Sequence, residues 1–187
     1  MGKEDTFNPM TGELMVIDKD YSKKEAFCKK HIFVSHHSKD EKIAESFCKL
    51  LEITCSHSLL VETFCASRAG DILSGKEWFP IIKKKLDVCT DIVCLFTKTS
   101  TARPWLLFEA GYAKALNVDV HGLFIGRKVI RTNHPFTTFQ NIDYKNEKAL
   151  ISLVSHLLEG AIDVKQDDCK KEIAKNVKKF IKDNTTL

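Results

Sequence analysis

An open, doubly wound α/β sheet is the fold class predicted by the sequence, and three observations carry it. Four apolar, β-branched runs recur at about the spacing of a strand–helix–strand unit: HIFVS (31–35), LLVETF (59–64), DIVCLF (91–96) and VHGLFIG (120–126). The run Ile92 to Phe96 is apolar on both faces, as expected of a parallel strand covered by helices on each side. The segments between the runs space their apolar residues three and four apart, which is the helical period. Strands alternating with helices predict a parallel sheet.

Taken in order, residues 1–29 are polar and read as an irregular N-terminal extension. After the first strand, residues 40–53 place Ile43, Phe47, Leu50 and Leu51 on one helical face, with Ser38 or Asp40 available as N-cap. After the second, residues 77–86 carry Trp78, Ile81, Ile82 and Leu86, and Pro80 fits only in a first turn. After the third, a helix over 104–116 begins at Pro104, with Ser100 or Thr101 upstream to cap it. A fourth helix over 148–159 ends at Gly160. The last, from about residue 170 to 182, puts Ile173, Val177, Phe180 and Ile181 on one stripe. Its other face carries six lysines between Lys170 and Lys182, which reads as a solvated surface more readily than as a nucleic-acid or lipid patch. The expected organisation is therefore an extension (1–29), one α/β domain (30–160) and a C-terminal amphipathic helix packed on it (161–187).

Composition narrows the function classes. Lys and Arg exceed Asp and Glu by 29 minus 25, a net +4 that is too mild to predict nucleic-acid binding. The longest apolar runs are strand-length, so no membrane span is expected. Seven cysteines, an odd number without any C-x-x-C pair, suit reduced core thiols in a cytoplasm. Cys28-x-x-His31 and Cys55-x-His57 are half-sites without second halves, so no metal is expected. Gly2 and Thr6 fit the short myristoylation pattern, but Glu4 and Asp5 would oppose an anionic lipid surface.

In an open parallel sheet, ligands bind beyond the carboxyl ends of the strands. Those ends are 35–40, 65–76, 97–103 and 126–131, and they supply hydroxyls, backbone amides, Arg68 and Arg103. The second holds GDILSGKEW (70–78), one residue short of a phosphate-binding P-loop. Gly70, Gly75 and Lys76 fit, but Glu77 replaces the hydroxyl that would hold Mg²⁺. Five residues also separate Phe64 from Gly70, whereas a P-loop follows its strand directly. Neither G-x-G-x-x-G nor G-x-S-x-G is present, which argues against a dinucleotide-dependent hydride transfer and against a serine-hydrolase elbow. One residue is out of character. Glu109 interrupts the apolar helix PWLLFEAGYAKAL, with Trp105, Leu106, Tyr112 and Ala113 three or four positions away. A carboxylate so placed is desolvated, and its pKa rises. The bland alternatives are a side chain that reaches solvent or one that pairs with Arg103.

HIFVSHHSKDEKIAESFCKLLE, the loop ending GKEW, DIVCLFTKTSTARPWLLFEAGYAKAL and HGLFIG together resemble a Toll/interleukin-1 receptor (TIR) domain of the bacterial type, over about residues 30–160. The resemblance implies a flavodoxin-like parallel sheet with helices on both faces and, in many members, NAD⁺ cleavage at the nicotinamide–ribose bond. It implies Glu109 as the catalytic residue, with Trp105 one turn earlier. Ser35, His36 and Ser38 of the loop after the first strand (which also holds His37), Arg68 and Trp105 are implied as substrate-binding residues. The 68–76 segment resembles the family's BB loop, which implies self-association and covering of the site. NAD⁺ is then a substrate, with no cofactor. A small TIR protein also resembles the signal-producing partners of anti-phage systems such as Thoeris, which implies a cyclic ADP-ribose product sensed by a separate effector. The alternatives are a non-enzymatic TIR adaptor acting by homotypic association, a flavodoxin-like nucleoside deoxyribosyltransferase and, last, a P-loop NTPase.

Overall fold

The computed structural model describes residues 3–7, 14–18, 28–55, 60–65, 78–97, 100, 103–126, 136 and 141–185. Strands β1 (Lys3–Phe7) and β2 (Leu14–Asp18) form a two-stranded antiparallel ladder, with Lys3 opposite Asp18 and Phe7 opposite Leu14. The polar start of the chain therefore holds regular structure where an irregular arm was expected.

The main sheet has five strands: β3 (Lys30–Ser35), β4 (Val61–Phe64), β5 (Asp91–Phe96), β6 (Asp119–Phe124) and β7 (Asn141–Asp143). They run in the order β4-β3-β5-β6-β7, and every neighbouring pair is parallel. Numbered within the sheet, this is the flavodoxin-like order 2-1-3-4-5, in which the direction of strand addition reverses between β3 and β5. Among the described residues there are five α-helices: α1 (Glu41–Thr54), α2 (Trp78–Val88), α3 (Pro104–Ala115), α4 (Glu147–Leu158) and α5 (Asp167–Asp183).

Side-chain alternation divides the core in two. All six residues of β5 are buried. Val93 and Leu95 join the cluster beneath α1, α4 and α5, whereas Ile92, Cys94 and Phe96 join that beneath α2 and α3. Each fully buried Phe or Leu in such a core contributes about 1.5–3 kcal/mol through the water-excluded area. α5 packs against α1 through Phe180 on Phe47, ring centroids 5.8 Å apart. Asn176 adds a hydrogen bond to Thr54, and Asn184 one to Ser46. Its lysine side chains 170, 171, 175 and 178 are more than half exposed and reach carboxylates on α5 or α4.

The helix ends depart from the sequence reading. Asp40 is the N-cap residue of α1 but makes no capping hydrogen bond; its carboxylate accepts from Thr97 Oγ1 at 2.8 Å instead. α3 starts at Pro104 with no side-chain cap, because Ser100 closes the preceding loop, accepting from the Thr97 amide at 2.7 Å. Gly160 follows α4 at φ +84, a left-handed conformation that glycine adopts without strain. The seven cysteines are all free, and burial pushes the Cys89 thiol up to about 11 and the Cys55 thiol up to about 12. No described helix is long and apolar enough to cross a membrane.

Candidate active site

The site forms where α3 crosses the carboxyl end of the sheet. α3 buries Leu106, Ala110 and Ala113, a spacing of four then three that points one stripe at β5 and β6. Glu109 falls inside that stripe and is only 3% exposed. A core position of the helix is thus occupied by a carboxyl group. Ser35, the last residue of β3, is as deeply buried, at 1% exposed, and lies beside Cys94 in the β3–β5 register.

These placements bring the two side chains together. Ser35 Oγ donates a short hydrogen bond to Glu109 Oε2. Trp105, one turn earlier on α3, donates its indole N–H to Glu109 Oε1 at 2.7 Å. Both oxygens are therefore held, and neither bland alternative holds: the group does not reach solvent, and its donors are Ser35 and Trp105 rather than Arg103. Burial pushes the Glu109 carboxyl up to about 7, against the hydrogen bonds from Ser35 and Trp105 and the nearby His36, which favour the charged form. Near neutral pH the group is poised between acid and carboxylate.

His36 leaves the strand next to Ser35. Its Nδ1 lies 3.1 Å from the Val34 carbonyl oxygen, and both ring nitrogens lie 3.9 Å from Cys65 Sγ at the end of β4. Burial alone would push this imidazole down. Cys65, the Val34 carbonyl and the charge of Glu109 outweigh burial and hold it above its ordinary value. On the outer side, aromatic rings form a shelf. Trp105 stacks on Phe108 at 5.0 Å and 27°, and Phe79 of α2 meets Trp105 edge-on at 6.0 Å. Phe79 and Phe108 are 43% and 40% exposed, which is unusual for rings that touch one another beside a buried carboxyl.

Of the residues singled out in the sequence, Ser35, His36 and Trp105 converge on Glu109. Ser38 does not join them. It is exposed at the start of a one-turn 3-10 helix (38–40), its Oγ 3.4 Å from His37 Nδ1. Arg68, the near-P-loop 70–78 up to Glu77, and Gly2 lie outside the described residues. The Ser35 hydroxyl is directed at the Glu109 carboxyl. Phe79, Phe108 and Cys65 were not anticipated. The spacing Trp105–Phe108–Tyr112 would have shown an aromatic edge on α3, but nothing in the sequence signals that Phe79 meets it.

No protein family matches the sequence, and no curated protein matches it. Among solved structures, one similar to this chain is the TIR domains of the activated Roq1 resistosome directly recognizing the pathogen effector XopQ. The alignment covers 80% of this chain and 84% of that chain at 11% identity, with a TM-score of 0.41.

Proposed function

We propose that this flavodoxin-like α/β protein is a TIR-type NAD⁺ glycohydrolase or cyclase with Glu109 as its catalytic residue. The observation that carries the reading is a carboxyl group at a core position, held by two donors and poised near pH 7. Hydrolysis of a glycosidic bond usually needs a second carboxyl to protonate the leaving oxygen. The nicotinamide of NAD⁺ is already cationic. When its bond to ribose C1′ breaks, the electron pair goes to the ring nitrogen and the base departs neutral, with no proton required. What remains is to stabilise the oxocarbenium-like ribose, which a carboxylate in a dry setting does electrostatically. A carboxylate has about four lone-pair directions, and Ser35 and Trp105 take two, so ribose hydroxyls can use the rest. Water then adds at C1′ and passes a proton to Glu109, giving ADP-ribose; a hydroxyl or adenine nitrogen of the same molecule would give a cyclic product instead. In this reading the Trp105–Phe108 shelf restrains the nicotinamide and His36 faces the phosphates or ribose. A cyclic product would suit a signalling role in anti-phage defence.

The purified chain is incubated with NAD⁺ beside Glu109→Gln. The expected result is nicotinamide release by the parent and none by the folded variant. Full activity in Glu109→Gln would end the assignment, and mass spectrometry of the product separates linear from cyclic ADP-ribose. A second reading, an adaptor acting by homotypic contact, draws on the exposed rings of Phe79 and Phe108. It expects no NAD⁺ turnover at any protein concentration.

A further inference from the structure

The opposite end of the sheet carries a second polar cluster. Asp91 and Asp119 are the first residues of β5 and β6 and lie side by side in the parallel register. His121 follows two residues after Asp119, so alternation puts both on one face. That face is covered by α4, whose last turn brings in His156. Asp91 is 1% exposed and uses its two oxygens differently. Oδ2 lies 3.4 Å from Lys30 Nζ. Oδ1 is approached by two imidazoles, His121 Nε2 at 3.4 Å and His156 Nε2 at 3.8 Å. The His156 nitrogen also lies 3.8 Å from Asp119 Oδ2.

Hydrogen bonding accounts for His121 and Lys30 on Asp91 but not for His156. A separation of 3.8 Å is too long for a hydrogen bond, and His156 makes that same long approach to two carboxylates. Donors spaced around an ion have this arrangement. Zinc bonds to nitrogen and carboxylate oxygen are ~2.0–2.2 Å, so tetrahedral donors stand about 3.3–3.6 Å from one another. The ligand atoms of Asp91, His121 and His156 all lie within 4.8 Å of one another, close enough for small rotations to complete the shell. The charges agree as well. Two carboxylates and Lys30 sum to −1 with neutral imidazoles, which attracts a dication, and Lys30 holds the oxygen turned away from the imidazoles. We propose that Asp91, His121 and His156, with Asp119 as fourth donor, form a binding site for a divalent cation of the zinc class. Imidazole and carboxylate donors without a thiolate suit Zn²⁺, Co²⁺ or Ni²⁺. The ion would tie β5 and β6 to α4 on the far side of the sheet from Glu109, as a structural brace independent of any chemistry there.

The full chain, stripped with EDTA and dialysed, is titrated with Zn²⁺ by calorimetry and melted with and without the ion. The expected result is one equivalent bound and a Tm raised by roughly 5 °C or more at a hundredfold excess over Kd. His121→Gln/His156→Gln should remove both effects. If that pair fails to fold, His156→Gln alone, at a side chain 48% exposed, should weaken binding about tenfold or more. Co²⁺ should give a visible spectrum lacking the intense band of thiolate ligation. No Zn²⁺ response in the parent, a response unchanged by these variants, or a thiolate band would each overturn the site, since the seven cysteines would then be the zinc ligands or there would be none.

Discussion

Ser35 Oγ donates its hydrogen bond to Glu109 Oε2 across 74 residues of chain, from the end of β3 to the inward stripe of α3, with both residues at most 3% exposed. The contact exists because β3 and β5 are neighbours and α3, which follows β5, crosses back over their carboxyl ends. It fixes the carboxyl without neutralising it. Two neutral donors and a nearby imidazole only partly offset burial, so Glu109 is stabilised less than a surface glutamate would be when charged.

The rate should follow the ionisation of this one group. If the carboxylate is the active form, kcat/KM for NAD⁺ rises with pH and levels off above the free-enzyme pKa of Glu109, about 7. Initial rates of nicotinamide release from pH 5.5 to 8.5 test this. A profile flat across that range would show that the ionisation of Glu109 does not limit turnover.

The same shift makes a stability prediction of definite sign. The folded pKa is raised from 4.5 to about 7, so the folded state binds more protons than the unfolded state within that window. Stability therefore falls as pH rises from 4.5 to 7 and the loss is complete above it, at about 3 kcal/mol. Glu109→Gln removes the ionisation but keeps an acceptor for Trp105 and a donor for the Ser35 oxygen. Urea unfolding should find it more stable than the parent at pH 8 and nearly equal to it at pH 4.5. Equal stability at pH 8 would mean the carboxylate is not penalised by burial.

Trp105 gives a prediction that separates packing from hydrogen bonding. Trp105→Phe keeps a ring for stacking on Phe108 but removes the 2.7 Å donor to Oε1. With one donor lost, the charged form is less favoured and the Glu109 pKa moves further up. Activity at pH 7 should fall about tenfold or more, and part of it should return at pH 8.5. A loss that is equal at every pH would show that the indole acts on substrate instead.

The fold was legible where hydrophobic period and length agree. The expected strands 31–35 and 91–96 match β3 and β5 to within one residue, and α1 and α3 match to a similar degree. The strand β7 was missed because Asn141-Ile142-Asp143 offers one apolar residue in three, too short a run to establish a period. The β1–β2 ladder was missed because its first strand, KEDTF, is mostly polar. Glu109 stood out because a charged residue inside an apolar stripe is visible in one dimension, and Trp105 sits four residues before it. Ser35 as its partner, the Cys65–His36 contact and the convergence of His121 and His156 on Asp91 depend on strand order and helix crossing, which no local pattern encodes.

Gly122 tests how tightly the far edge of the sheet is built. It stands in the middle of β6 opposite Asn141, where a Cβ would collide with the Asn141 side-chain oxygen and approach the Phe96 ring to 3.2 Å. Strand β7 has only three residues, and the Asn141 amide is anchored by a 2.7 Å hydrogen bond to the Phe136 carbonyl, so it has little room to yield. Gly122→Ala should destabilise the protein by about 1–3 kcal/mol, the range for inserting a methyl group into a packed site. Asn141→Ala alone should also destabilise, by about 1 kcal/mol or somewhat more, because the hydrogen bond is lost and the carbonyl loses a partner. The two changes touch the same space, so their effects should not add. Shortening residue 141 opens room for the new methyl, and Gly122→Ala/Asn141→Ala should be more stable than the sum of the single losses predicts. Urea midpoints for the four proteins measure the coupling. Strict additivity would mean that Gly122 is required by something other than the Asn141 side chain, such as the Phe96 ring.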